Sequence, residues 1–443
     1  MKNAVGNGKG NLPRRVSALF FACLFCLFSV IFPAGAEPDT SCCFGFALFE
    51  VGSGTLLLDK NYDMPIRPGP AVKLMTGLIA CESFGDDPDG EVTVPKEALS
   101  NISGRSAGLS AGQKVKKKEL ITLLLSGGFN DAANTVAILV SGDMGAFIDL
   151  MNGRALRLGM QSTTYKNATG LDDDMMYTTL RDTVTLAEAA AENELFLECS
   201  GKASFTYTLA DGNKKTAKNP NIILSDRTEY FCRSARGLNA GYTDGAGYCA
   251  VVFATHEGAS YICAAMGGNS DGYGHFAAIQ DSLQWAFDNY FKRSVMAEKE
   301  KVGSINVSLS DVGNEVGLML SEDLSVLEAS GGEWKSYTFS RRDLSESLEA
   351  PVKVGDRVGY MTAWDGERLV AVADITVDSD VARSPILSAI EGAKEYLTGR
   401  AFRATFISAV LFTAALFVFP RIALAIRQRR RRYVRQRGGF RLK

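Results

Sequence analysis

The chain has 443 residues, 46% of them hydrophobic and 22% charged, with a formal net charge of −2. That is room for one large or two moderate folded domains, and the composition is that of a globular protein with membrane pieces added. The near-neutral total hides an acidic middle: residues 37–402 carry −17, which argues against nucleic acid or another anionic polymer as a partner.

Lys2, Lys9, Arg14 and Arg15 precede an apolar stretch from Val16 to Phe32, followed by Ala34-Gly35-Ala36. This pattern predicts a secretory signal peptide over residues 1–36, cleaved after Ala36. The alternative is an uncleaved anchor helix, for which the apolar run is short.

Phe44–Phe49 and Gly54–Asp59 read as two strands of a hairpin joined through Gly52-Ser53-Gly54. Ala71–Ser83 has Val72, Met75, Leu78 and Ile79 at helical spacing, with Pro70 suited to a first helical position. Lys118–Val140 predicts a helix pair broken at Ser126-Gly127-Gly128, and Ala146–Leu158 and Leu180–Glu192 are further helices. Tyr248–Thr255 and Tyr261–Met266 form a second expected hairpin, closed by a helix over Asp281–Phe291. Strands, then helices, then strands and a last helix predict a mixed, layered α/β domain over residues 37–294.

Residues 295–385 have a different texture. Ile305–Leu309, Glu315–Leu320, Lys335–Phe339, Val352–Val358 and Leu369–Ala373 are short strand candidates at near-regular spacing, a small all-β module. A linker over 386–402 leads to the apolar run Ala404–Pro420, extended by Ile422–Ile426. A basic tail without acids, 427–443, follows, and such a flank reads as cytoplasmic. The expected topology is an exported domain held by a transmembrane anchor over 403–426. Arg403 and Arg421 keep open a helix lying on the membrane surface instead.

Removing Cys23 and Cys26 with the signal leaves seven cysteines, an odd number without regular spacing and so no disulfide framework. Cys81, Cys232, Cys249 and Cys263 sit in apolar contexts and are expected to be buried, while Cys42 and Cys43 have no assigned role. His256 and His275 are the only histidines and lack metal-ligand spacing; neither a metal nor another cofactor is expected.

The segments RPGPAVKLMT, LSGGFNDAAN, FIDLMNGRALRLGM, YKNATGLDDD, YTTLRD and GLNAGYTDGAGYC resemble, in collinear order, the low-molecular-mass penicillin-binding proteins that act as serine D-alanyl-D-alanine carboxypeptidases. The resemblance covers residues 41–292 well and 296–385 weakly, and it includes the anchor. It implies a β-lactamase-like fold, with an antiparallel sheet and a helical subdomain, and three motifs that carry the chemistry. The first, S-x-x-K, supplies the nucleophile and the lysine that manages its proton; here it reads Pro70-Ala71-Val72-Lys73. The second, S-x-N, reads Gly128-Phe129-Asn130. The third, K-T-G, binds the substrate's terminal carboxylate and reads Asn239-Ala240-Gly241, with Tyr242 next as an expected oxyanion donor.

Lys73, Asn130 and Gly241 thus match the pattern, and four functional side chains are missing. Loss of a catalytic serine alone costs about six orders of magnitude in turnover. Proline also lacks the backbone N–H that an oxyanion hole needs, worth a further hundred- to thousandfold. Lys73 is then expected to pair with Asn130 or a nearby carbonyl. Ser126 and Ser106 lack a lysine three residues on and are not expected to substitute. The expectation is a non-catalytic family member that binds peptidoglycan stem peptides or envelope proteins. The alternatives are an active D-Ala-D-Ala carboxypeptidase and an interaction module that does not use the cleft.

Overall fold

A computed structural model describes residues 36–269, 273–311, 313–332 and 334–437. The segment expected as a signal peptide lies, but for Ala36, outside the described residues. The chain divides into two compact units. The first runs to Ser294 and includes Ser325–Thr338 and Ala363–Ala371; the second takes Val295–Leu324, Phe339–Thr362 and the chain from Val372.

The first unit is a mixed α/β structure, as expected. It opens with β1 (Cys43–Glu50) and β2 (Thr55–Lys60), then α1 (Val72–Phe84), β3 (Glu91–Thr93), β4 (Lys114–Lys116), α2 (Lys117–Leu125) and α3 (Asn130–Ser141). Next come α4 (Met144–Arg157), α5 (Leu180–Ala191), α6 (Glu194–Ser200) and the hairpin β5 (Ser204–Thr208) and β6 (Lys214–Lys218). It ends in β7 (Ala235–Thr243), β8 (Gly247–His256), β9 (Ala259–Gly268), α7 (Gly274–Asn289) and β10 (Tyr290–Met296). Five strands form one antiparallel sheet in the order β2-β1-β9-β8-β7.

Strand periodicity explains the layering. On β9, Ile262, Ala264 and Met266 join a core shared with α1 to α6, whereas Tyr261, Cys263 and Ala265 join one shared with α7. Both faces of the sheet are therefore buried under helices, which is why its strands read as almost continuous apolar runs. α1 has buried residues all round its circumference, Lys73 and Thr76 among them, so it is the central helix of the larger core.

Several expectations shift. The closing helix begins seven residues earlier than Asp281 and ends before Tyr290, because Phe276, Ile279, Leu283 and Ala286 continue one buried face upstream. Strand Lys335–Phe339 is displaced to Thr338–Arg342. Val352–Val358 is largely a turn, in which Lys353 N–H donates to Asp356, and the strand starts at Arg357. The hairpin β5–β6 went unread because the exposed Lys214, Lys215 and Lys218 mask its pattern. Cys81, Cys249 and Cys263 are buried, while Cys232 is half-buried.

Further along the chain, β11 (Lys301–Ser308), β12 (Glu315–Leu320), β13 (Leu324–Ala329), β14 (Thr338–Arg342), β15 (Ser347–Glu349), β16 (Arg357–Asp365) and β17 (Arg368–Val377) complete the strands, with β13 falling almost wholly in the first unit and pairing with β10. Six of them form a sheet in the order β14-β16-β17-β12-β11-β15, an all-β module. The amphipathic α8 (Pro385–Thr398) starts at Ser384, whose hydroxyl accepts Leu387 N–H, and α9 (Arg400–Arg437) follows. Phe402–Arg432 is long and apolar enough to cross a membrane.

Candidate functional site

A cleft of about 430 Å³ lies where α1, the start of α3, strand β7 and the loops around Arg105, Thr169 and Pro220 meet. Pro70, Lys73, Gly128, Asn130, Ala240, Gly241 and Tyr242 all line it, so the three sequence-distant motifs converge. Asn239 is buried and is not among the lining residues.

Pro70 sits in a short 3₁₀ turn, Gly69–Ala71, that leads into α1. A proline suits this position, where a backbone N–H has no intrahelical acceptor. The turn is pressed against its neighbours. A Cβ on Gly241 would lie 2.9 Å from Pro70 Cγ, and one on Gly170 would overlap the Gly69 carbonyl.

One turn into the helix, Lys73 is buried. Its ammonium donates to the Thr169 carbonyl at 2.5 Å, the carbonyl option of the two expected partners. Burial, with help from the Arg105 charge, pushes its pKa from 10.5 down to about 7. Asn130 instead donates its amide to the Ser103 carbonyl at 2.7 Å, and its Oδ1 is buried without a partner among the described residues.

Gly128 has φ +65°, the left-handed region, followed by Phe129 in extended geometry and then the helix. A serine there would be strained as well as absent. The next residue, Asp131, organises the loop opposite: its carboxylate accepts Ser106 Oγ and the backbone N–H groups of Ala107, Gly108 and Leu109 at 2.7–3.0 Å. Ser106 is thereby committed, and Ser126 is equally so, its buried hydroxyl donating to the Cys199 carbonyl. The threonine hydroxyls on the cleft are also engaged, Thr169 with Asn167 and Thr243 with Asp172.

Sequence reading did not single out Arg105, which lines the cleft with its guanidinium 5.2 Å above the Phe129 ring, nor the aromatic wall of Tyr248, Tyr273, His275 and Phe276. No motif spacing marks these positions. Among the described residues, Lys73 and Arg105 are the cations on the cleft, and no carboxylate lines it.

The family model described as D-alanyl-D-alanine carboxypeptidase matches residues 37–270, more than half of the chain. The chain belongs to that family. A second model, penicillin-binding protein 5 C-terminal domain, matches residues 290–383. Among the family's curated members, D-alanyl-D-alanine carboxypeptidase DacF of Bacillus subtilis is 23% identical over 344 residues, covering 77% of this chain and 86% of the relative. DacD of Salmonella typhimurium is 26% identical over 355 residues, covering 77% and 87%. The fold is that of penicillin-binding protein 5 from Haemophilus influenzae, with TM-score 0.60 at 23% identity over 79% of this chain and all of that one. It is shared too by a peptidoglycan synthesis regulatory factor (PBP3) from Streptococcus pneumoniae, with TM-score 0.64 at 20% identity over 77% and 99%.

Proposed function

We propose that the protein is a non-catalytic member of the carboxypeptidase family, anchored at the membrane through α9 and using its cleft to bind peptidoglycan stem peptides ending in D-Ala-D-Ala. The observation that carries this reading is the composition of a formed cleft. Proline occupies the nucleophile position, a left-handed glycine the second-motif serine position and alanine the threonine position, while the cavity keeps its walls. Lys73 and Asn130 then serve as polar lining, and Ala240, Gly241 and Tyr242 as the strand along which a ligand lies.

Domain limits of 37–294 and 295–385 fit this reading, as does an exported orientation with the basic tail inside. The test is covalent labelling of the detergent-solubilised chain by a fluorescent penicillin, alongside retention of purified muropeptides. No labelling is expected, with retention that a bulky Gly241→Val substitution abolishes. Labelling that disappears on denaturation would overturn the proposal.

A second reading, an active D-Ala-D-Ala carboxypeptidase, draws support from Lys73. An amine with a pKa of about 7 is substantially neutral near neutral pH, as a proton acceptor must be. D-Ala release from a pentapeptide, lost in Lys73→Ala, would establish it.

A further inference from the structure

Resting on the peptide-binding reading, we infer that Arg105, a loop residue outside the three motifs, recognises the ligand's terminal carboxylate. A carboxylate entering this cleft needs a cation. The third motif offers none, since Asn239 is buried away from the lining and Ala240 is apolar. Arg105 has the required chemistry: five N–H donors in a planar fork that matches a carboxylate.

One of its donors is held by the Lys218 carbonyl at 2.8 Å, and its guanidinium lies over Phe129. These contacts hold the side chain in place and leave further donors on the fork. Among the described residues it has no acidic partner, unlike Arg67, Arg154 and Arg181, which pair with Asp174, Glu82 and Asp63.

An independent feature points to the same ligand class. Among the described residues Asn130 Oδ1 is buried with no hydrogen-bond partner, on a residue that lines this cleft. Its orientation is fixed because the amide nitrogen faces the Ser103 carbonyl. An orphaned buried acceptor calls for an N–H donor. A peptide with a free C-terminus supplies both complements, a backbone N–H for Asn130 and a carboxylate for Arg105. A neutral sugar or an apolar ligand supplies no carboxylate.

The test compares an N-acetylated tripeptide ending in D-Ala-D-Ala with its C-terminal amide, by calorimetric titration of the detergent-solubilised full chain. The acid is expected to bind about ten- to a hundredfold more tightly than the amide, the range of one charge-assisted contact. Arg105→Gln should remove that preference by weakening the acid far more than the amide, and Arg105→Lys should keep part of it. A full acid preference in Arg105→Gln would overturn the assignment while leaving the peptide-binding reading intact. If both variants bind acid and amide equally poorly, Arg105 is a packing residue and the assignment fails. Binding of neither peptide to the unaltered chain would sink the peptide-binding reading, and the assignment with it.

Discussion

Replacing Lys73 by methionine should change how stability depends on pH, and the sign follows from burial. The unfolded chain holds a proton on this amine up to about pH 10.5, whereas the folded chain releases it near pH 7. Between those values the unfolded state binds more protons, so the group makes stability rise with pH. Integrating the linkage from pH 7 to pH 9 gives about 2 kcal/mol gained by the unaltered chain and not by Lys73→Met. At pH 7 the variant should be the more stable of the two, since a buried cation with no acidic partner among the described residues is replaced by an apolar chain of similar length. The lost bond to the Thr169 carbonyl offsets part of this, by about 1 kcal/mol. The groups sharing the cleft with Lys73 are Arg105 from the loop before α2, Tyr242 on β7, Tyr248 on β8 and Tyr273 and His275 at the start of α7. They are common to both proteins, so to first order they cancel in the comparison. Urea unfolding of both chains in detergent at pH 7, 8 and 9 is the measurement. A stability gap that stays constant across that range would refute the reasoning, because it would mean that burial does not displace the Lys73 proton.

Three further outcomes are expected. Gly241→Ala should destabilise the first unit by about 1–3 kcal/mol through overpacking on Pro70, with part recovered in a Pro70→Gly background, as a double-mutant cycle in thermal unfolding would show. Asp131→Asn should cost about 2 kcal/mol or more and speed hydrogen exchange at residues 107–109, because three backbone N–H groups lose a charged acceptor. Pro70→Ser should not restore penicillin labelling to the level of a complete motif set, because Gly128 and Ala240 still lack hydroxyls; full recovery would show that position 70 alone decides the chemistry.

Much of this fold could be read from local pattern. The helices α1 to α5 and four strands of the central sheet, β1, β2, β8 and β9, carry apolar signals that burial demands, whereas β7, which reads ARGLNAGYT, does not. Where exposed charge interrupts the signal, as in β5 and β6, reading failed. It also misplaced strands in the β module, where turn chemistry such as the Lys353–Asp356 contact sets the boundaries. The cleft was half legible. Motif positions were found because residues three apart on one helix, or consecutive on one strand, keep fixed relations along the chain. Arg105 and the aromatic wall reach the cleft through tertiary packing alone, and no spacing encodes that.

The shape of the cleft is set by close backbone approach more than by the side chain at position 70. Gly69 adopts φ +46° with room for no Cβ beside Ala246, Gly170 lies against the Gly69 carbonyl, and Gly241 abuts the Pro70 ring. These contacts fix the turn, the Thr169 loop and β7 against one another, and none of them needs a hydroxyl at position 70. Binding and chemistry are therefore separable. Pro70→Ala removes two ring carbons and restores an N–H, yet leaves all three glycine contacts to backbone or Cβ in place. Affinity for the acid tripeptide should stay within about threefold, less than 1 kcal/mol. A tenfold loss would mean that the proline ring itself shapes the ligand surface, and that position 70 has become a binding residue in its own right.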